Sequence, residues 1–536
     1  MSSDVAPAPP SAWAPLRHRL FAAMWGAQFV SNVGSWMQTV AAQWLMLSLT
    51  TSATYVALIQ TAASLPIVLF AVLAGTIGDL VDRRRFLLVT QAVTLLAATG
   101  LGVLALAGLI SPWVLLAFIF AVGTGQALTA PTWQTLQPEL VPPAERAQAI
   151  SLGSVNQNLA RAVGPAIGGV LLAATNAGIV FLINAATFVA VIAVIGWWKS
   201  KPPEHALPRE HVAEAVRAGG RYVGASPVLR AILLRAGLFI FFASSVWALL
   251  PLTAHLQLHL SSGGYGLLLG CVGVGAVIAA ALLPRLRSRL SPGAELTTGS
   301  LLLAVVALIL AYVHVTAAVA AALVVAGMAW ILALSTLSSL YQLSLPQWVK
   351  ARSMSFYLVV FQGGNAVGSA VFGVLAQHFG LSSALLVVAV GLALGPLAGL
   401  AYKFQTISPA ELVPGADWPP VSLAGGSAPN GPVMVSVEYF ASPGREDELV
   451  AALEDARFSR RRTGATSWRA WRDSAQPSRI LEQFVVASWD DHLRQQERVT
   501  ERDQRRLDAI SAMTDPGHPR TVTHWLAAKP VRDQPR

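Results

Sequence analysis

Residues 141–171 read VPPAERAQAISLGSVNQNLARAVGPAIGGVL, and residues 345–375 read LPQWVKARSMSFYLVVFQGGNAVGSAVFGVL. The two stretches align without a gap at an offset of 204 residues. Pro142 meets Pro346, Arg146 meets Lys350, Gly164 meets Gly368, Gly169 meets Gly373, and Arg161 meets Asn365. Each copy opens on a basic, proline-containing break and runs on into an apolar segment. Both therefore start on the same side of whatever that segment crosses. Two halves repeated in parallel are expected.

The segments around them are long enough to cross a bilayer. The chain is 54% hydrophobic and 12% charged, against about 25% charged in soluble domains. Up to residue 404, apolar runs of about 20 residues recur, matching a hydrocarbon core of ~30 Å. Twelve spans are predicted, near 20–47, 53–77, 86–109, 112–136, 148–174, 178–198, 229–257, 264–284, 295–313, 317–343, 353–378 and 381–404. Lys and Arg fall only in alternate breaks, as in Arg83, Arg84 and Arg85, or Arg285, Arg287 and Arg289. The other breaks, such as SLTTSAT, ATNAG and QHFGLSS, carry neither. Residues 1–410 hold 20 Lys+Arg against 9 Asp+Glu, and residues 411–536 hold 17 against 18. The positive excess thus belongs to membrane topology and not to nucleic acid. Basic loops stay in the cytoplasm, so both termini are expected there. No cleavable signal peptide is evident, and the first span is the expected targeting signal. Cys271 is the only cysteine, which excludes an intramolecular disulfide and a thiol-rich metal site. No metal or cofactor is expected.

Arg161 reads as the one permanent charge that cannot be placed near a membrane surface, and no carboxylate is expected within the long apolar segments. It lies about 20 Å past the start of span five at 1.5 Å per residue. An arginine at that depth faces the bundle interior. It either binds a polar or anionic group of a cargo, or links to backbone carbonyls and amides of helix one. Helix one supplies Gln28, Asn32, Trp36 and Gln43 at near-helical spacing, and Gln126 and Asn158 join them as candidates for a cavity wall. The bland alternative is that such amides join helices to one another. His255, His259 and His314 fall at span ends, where interfacial histidines need no coupling role.

The break after span two reads GTIGDLVDRRRFLL. Gly75, Asp79, Arg83 and Arg84 keep the spacing G-x-x-x-D-x-x-x-R-[KR], with Leu80 and Asp82 replacing a usual Arg and Gly. Most of residues 17–404 resemble the major-facilitator superfamily. The Asp-Arg-Arg ending is similar to the branch of bacterial exporters that includes the enterobactin exporter and the transmembrane secretion effectors. That resemblance implies a gating loop (Gly75, Asp79, Asp82, Arg83, Arg84) that latches near the start of helix eleven in the outward-facing state. Gly164, Pro165, Gly168 and Gly169 resemble the helix-five antiporter motif of drug exporters, a composition that lets a helix pack and flex. The Arg of the family's helix-four motif is absent, with Ile119 in its place. The usual proton-coupling groups are therefore missing, and no phosphate-binding loop occurs.

After a Pro/Gly/Ser-rich linker, strand and helix patterns follow in the order β-α-β-β-α-β, a split ferredoxin-like unit. One long helix is predicted over DDHLRQQERVTERDQRRLDAISAM. The unit resembles dimeric α+β barrel domains of the antibiotic-biosynthesis-monooxygenase type, which implies a dimerisation or regulatory module. His492, His518, His524, Trp468, Trp471 and Trp489 are candidates for a pocket there. The expected fold is an all-α polytopic membrane protein with a small α+β domain. Its parts are a tail (1–19), a six-helix half (20–198), a connector (199–228), a second half (229–404), a linker (405–431) and the ferredoxin-like domain (432–528). The expected function is export of a siderophore- or drug-like molecule across a bacterial inner membrane, without covalent chemistry. The rivals are an importer of the same fold, a membrane-tethered oxidative enzyme, and a sensor whose cytoplasmic domain reports cargo occupancy.

Overall fold

The computed structural model describes residues 11–80, 82–198, 212–401 and 431–527. Six long helices come first: α1 (Arg19–Leu49), α2 (Ala53–Leu80), α3 (Arg83–Leu106), α4 (Pro112–Glu139), α5 (Arg146–Ala174) and α6 (Ala177–Trp197). A short helix follows, α7 (Val212–Gly224). Six more helices complete the bundle: α8 (Pro227–Leu252), α9 (Ser262–Arg287), α10 (Pro292–Tyr312), α11 (Thr316–Leu343), α12 (Gln347–Phe379) and α13 (Leu381–Leu394), with α14 (Ala398–Ala401) after it. Local chemistry sets several starts. Asp82 accepts from the backbone N–H groups of Arg84 and Arg85, and Ser111, Asn176 and Ser291 cap α4, α6 and α10 in the same way. Each cap satisfies a donor that the first helical turn leaves open.

Nine helices among the described residues are long and apolar enough to span a bilayer. The other three bundle helices fall short for identifiable reasons. α1 and α5 carry the amides and the arginine of the bundle interior, and the last apolar helix is brief. α12 begins at Gln347, several residues ahead of the predicted 353.

The two halves are related as the repeat predicts, and packing makes the relation concrete. A Cβ at Gly169 of α5 would lie 2.6 Å from the Cα of Gly266 on α9, and a Cβ at Gly373 of α12 would lie 2.4 Å from the Cβ of Ala57 on α2. A Cβ at Gly164 would lie 2.6 Å from the Cβ of Trp36 on α1, and one at Gly368 would lie 2.1 Å from the carbonyl oxygen of Phe241 on α8. Thus α5 meets α1 and α9, while α12 meets α8 and α2. The same pair of glycines serves each contact. Only glycine permits backbones to come this close.

Among the described residues, the hydrogen bonds between halves sit toward the end of the bundle whose loops carry no Lys or Arg, here called the neutral end. The opposite end is the basic end. Ala53 N–H donates to Gln377 Oε1 at 2.7 Å, Thr61 Oγ1 to the Ala366 carbonyl at 2.8 Å, and Asn365 Nδ2 to Ser64 Oγ at 3.1 Å. Tyr265 of α9 donates to Gln43 Oε1 at 2.5 Å.

The chain divides into two compact units, the second comprising residues 209–232, 339–356 and 404 onward. Its soluble part contains β1 (Val433–Phe440), α15 (Glu446–Thr463), β2 (Ser467–Arg472), β3 (Arg479–Val486), α16 (Trp489–Glu497), α17 (Glu501–Ser511) and β4 (Thr521–Leu526). The strands form one antiparallel sheet in the order β2-β3-β1-β4, which is the ferredoxin-like arrangement. Val433, Val435, Val437 and Tyr439 alternate into a core with Leu449, Leu453, Ile480, Phe484 and Trp489. The single helix expected over residues 490–513 is instead two. Thr500 starts a new helix through a capping box with Asp503, a Thr-x-x-acid signal that ends α16 and redirects the chain.

Candidate cargo cavity and its closures

The site is built outward from α5. Gly164 lets α1 settle against α5 at Trp36. Arg161 lies one turn earlier on the same face of α5, because residues three apart on a helix are neighbours. The close approach therefore brings the Trp36 ring under the guanidinium, with the Arg161 carbon 5.6 Å from the ring centre. Pro165 adds a second effect. Lacking an N–H, it leaves the Arg161 carbonyl without its usual intrahelical donor. Arg161 Nε is buried with no hydrogen-bond partner. An orphaned, desolvated donor of this kind costs ~1–3 kcal/mol, and more when charged.

The neighbouring polar side chains divide into spent and open groups. Gln28 Nε2 donates to Asn32 Oδ1 at 2.9 Å, and Asn32 Nδ2 to Asn156 Oδ1 at 2.9 Å. Asn156 Nδ2 then donates to the Trp25 carbonyl at 2.8 Å, and Trp25 Nε1 to the Leu152 carbonyl at 2.9 Å. This relay ties α1 to α5. Gln43 is buried and engaged with Tyr265 at the neutral end. Gln126 and Asn158 are exposed. Gln126 donates to Ser35 Oγ at 3.2 Å and Asn158 to its own helix at Ser154. Asn158 and Ser154 share a face of α5 with Arg161.

The other half contributes rings. Trp330 of α11 packs on Trp247 of α8 with ring centres 4.2 Å apart, and on Phe239 and Phe361 at 6.2 and 6.3 Å. Phe361 precedes Asn365 by one turn of α12, and Asn365 bonds to Ser64 of α2. The aromatic cluster thus lies on the face of α12 turned to the first half.

Closure at the neutral end adds aromatic contacts to the Tyr265–Gln43 bond. Trp44 stacks on Tyr265 at 5.9 Å and takes His255 edge-on at 5.5 Å. A Tyr265→Phe variant leaves the buried Gln43 oxygen without this donor, a loss of ~1–3 kcal/mol in this state. Spin labels at the neutral ends of α1 and α9 are expected to show a larger population at longer distance. An unchanged distance distribution would mean the bond does not hold the closure.

At the basic end, Arg83 forms an ion pair with Glu139 of α4 at 2.9 Å. Arg84 donates to the carbonyls of Ile195 and Gly196 on α6. Asp82 is the cap of α3. The gating-loop arginines are therefore engaged inside the first half. Gly75 and Asp79 lie on α2 where side chains are outside the described residues.

In the bundle, two buried charges among the described residues were not expected from the sequence. Arg235 on α8 is 5% exposed and Glu295 on α10 is 3% exposed. Glu295 accepts from Thr336 of α11. The signal for it was present: Ser291-Pro292 starts α10 early and puts Glu295 inside the helix. In the soluble domain, the six pocket candidates do not converge. His492 and His524 face each other with Nε2 atoms 3.0 Å apart beside Trp489. Trp468 Nε1 donates to Glu482 at 2.9 Å, His518 pairs with Asp515, and Trp471 is exposed. No group of three or more metal-ligating side chains occurs among the described residues.

The family model described as transmembrane secretion effector matches residues 10–531. The chain belongs to that family. It is a multi-pass secondary transporter. The enterobactin exporter EntS of Citrobacter koseri is 28% identical over 408 residues, covering 73% of this chain and 95% of that one. The staphyloferrin A transporter of Staphylococcus aureus is 27% identical over 266 residues, covering 48% of this chain; the match spans 65% of that relative, just under two thirds. Among solved structures, a bacterial homologue of the human lysosomal transporter Spinster, in an inward-facing and unoccupied conformation, has a TM-score of 0.59 at 17% identity. That match covers 74% of this chain and 99% of the other. The nucleoside transporter NupG has a TM-score of 0.55 at 13% identity, covering 72% and 100%. These likenesses place the bundle in the major-facilitator fold.

Proposed function

We propose that the protein exports an anionic, ring-bearing small molecule of siderophore-like chemistry across a bacterial inner membrane. Arg161 is its anchor. The observation that carries this reading is the buried Arg161 Nε without a partner, which a cargo carboxylate or phenolate would satisfy. Trp36 orients the guanidinium. Gln126 and Asn158 offer exposed amides on the same wall, with Gln28 and Asn32 holding α1 in place. The rings of Trp247, Trp330 and Phe361 offer a stacking surface from the other half. Relatives named for enterobactin and staphyloferrin A favour the same cargo class.

The basic end is cytoplasmic on this reading, together with both termini, because Lys and Arg are retained there. The state described is then inward-facing, with the halves joined at the outer side by Gly169, Gly266 and Gly373. Gly164, Pro165, Gly168 and Gly169 form the seam and hinge about which the halves rock. Dimerisation through the soluble domain belongs to the same proposal, and light scattering of the detergent-solubilised protein tests it.

The direct test is transport of a catecholate or citrate-based siderophore in inside-out vesicles. ATP-independent accumulation inside such vesicles is expected, reduced to background when Arg161 is replaced. Accumulation only in right-side-out vesicles would establish import instead.

A further inference from the structure

Within the second unit, α7 and the first turns of α12 form a platform. A Cβ at Gly219 would lie 3.1 Å from the Cβ of Arg352 and 3.3 Å from the ring of Phe356. α7 therefore runs close against α12. One turn on, Tyr222 and Trp348 pack edge to face with ring centres 5.6 Å apart. Tyr222 is 4% exposed. Burial pushes its phenol up to about 12, so the ring stays uncharged near neutrality.

Two arginines of the soluble domain close on this ring pair. Arg498, in the break between α16 and α17, places its guanidinium carbon 4.5 Å from the centre of Trp348. Arg462, at the end of α15, stands 5.6 Å from the centre of Tyr222. Both are held in place from inside the domain. Arg462 pairs with Asp503, and Arg498 donates to the Thr463 carbonyl at 3.3 Å. The helix break forced by Thr500 is what sets Arg498 at this position. α15 also packs directly on α7. Tryptophan is the best ring for a cation, and partly desolvated pairs are the stronger ones.

The platform is where motion of the halves must pass. α7 belongs to the one covalent link between them. α12 is a continuous helix from Gln347 to Phe379, and it carries Asn365 and Gly373 to the contact with α2. We propose that the soluble domain is a docked restraint on the transport cycle. Through Arg498 on Trp348 and Arg462 on Tyr222, it holds the basic end of α12 and the connector α7 in the arrangement that accompanies a closed neutral end. Release of the domain shifts the population away from that state. The inference rests on rocking of the two halves and not on the cargo assigned to Arg161.

The test uses the full chain in proteoliposomes with Ser154→Cys as reporter in a Cys271→Ser background. Ser154 is exposed on the polar face of α5, so maleimide labelling there reads the opening at the basic end without any cargo. Arg498→Ala and Trp348→Ala are each expected to slow labelling roughly five-fold, the population shift one partly desolvated cation–π contact provides. The double variant should be no slower than either single one, and Trp348→Phe should recover most of the rate. Trp348 lies outside the soluble domain, so its replacement tests the contact even where Arg498→Ala disturbs domain folding. Labelling of the Trp348→Ala protein at the parental rate would overturn the proposal. So would additive effects in the double variant.

Discussion

Replacing Arg161 with Ala is expected to lower transport by two orders of magnitude or more while leaving abundance in the membrane unchanged. Removing one partner of a buried, hydrogen-bonded charge pair costs ~2–5 kcal/mol, roughly 30-fold to several thousand-fold. A companion measurement separates a cargo anchor from a structural strut. Within the protein Arg161 Nε has no acceptor, so on the anchor reading the guanidinium is a burden on the fold. Arg161→Met, similar in length and uncharged, should therefore unfold at the same temperature as the parent or higher. A strut would behave in the opposite way, since breaking a satisfied buried charge is strongly destabilising. Trp36→Ala should give a smaller transport loss, about ten-fold, because it removes one face of the guanidinium's surroundings and leaves the charge. Parental transport by Arg161→Met would end the assignment. A large loss of thermal stability would move Arg161 to the structural class.

Much of the architecture was readable because it repeats. One offset of 204 residues aligned Gly164 with Gly368 and Gly169 with Gly373, and these glycines make equivalent contacts on α1 and α9 and on α8 and α2. Glycine spacing in an apolar helix is a direct statement about backbone approach, so it survives into three dimensions. The polar residues were less legible. Gln28, Asn32, Gln43, Gln126 and Asn158 look alike in the sequence, yet their roles separate only when their partners are known. Asn156 absorbs Asn32 and through it Gln28, Tyr265 absorbs Gln43, and two remain exposed. Such pairings join residues more than a hundred positions apart and leave no periodic trace. Glu295 and Arg235 were missed for a different reason. Arg235 lies within the first two turns of the predicted span 229–257 and Glu295 is the first residue of 295–313, so hydropathy alone reads both as charges at a membrane surface. The aromatic cluster around Trp330 was invisible because tryptophan in a membrane helix is equally suited to lipid, an interface or a cavity. In the soluble domain, element order was clear from alternation and charge at helix ends. The break at Thr500 was not, because a capping box inside a charged run is easily read as more helix.

The second large effect is expected at Glu482, in the core of the soluble domain. This carboxylate is fully buried. It takes a two-point contact from Arg460 at 3.0 and 3.1 Å, with Trp468 Nε1 and the Tyr439 hydroxyl as further donors at 2.9 and 3.1 Å. Glu482→Gln leaves the Arg460 charge buried without its counter-charge, a cost of ~3–5 kcal/mol. That is a large part of the ~5–15 kcal/mol that holds a domain together. Hydrogen exchange of β3 amides in the full-length protein should accelerate by two to three orders of magnitude, and the bundle helices should be unaffected. The pH dependence has two stages of the same sign. Burial pushes the Glu482 carboxyl up, but Arg460, Trp468 and Tyr439 outweigh it and hold it below the ordinary range. Its contribution is complete above the unfolded value of ~4.3 and is lost as pH falls through the lower folded value. Burial, aided by His524, brings His492 down to about 4. The unfolded chain takes up that proton first, near pH 6.5, so stability declines as pH falls from about 6.5 toward 4. Local opening of β3, corrected for intrinsic exchange, should thus become easier between pH 7 and 5 in the parent. His492→Gln should reduce the slope of that interval, with His524, which burial also holds below the ordinary range, keeping the remainder and Glu482 the more acidic limb. If the interval kept its slope in His492→Gln, the first stage would belong to another group.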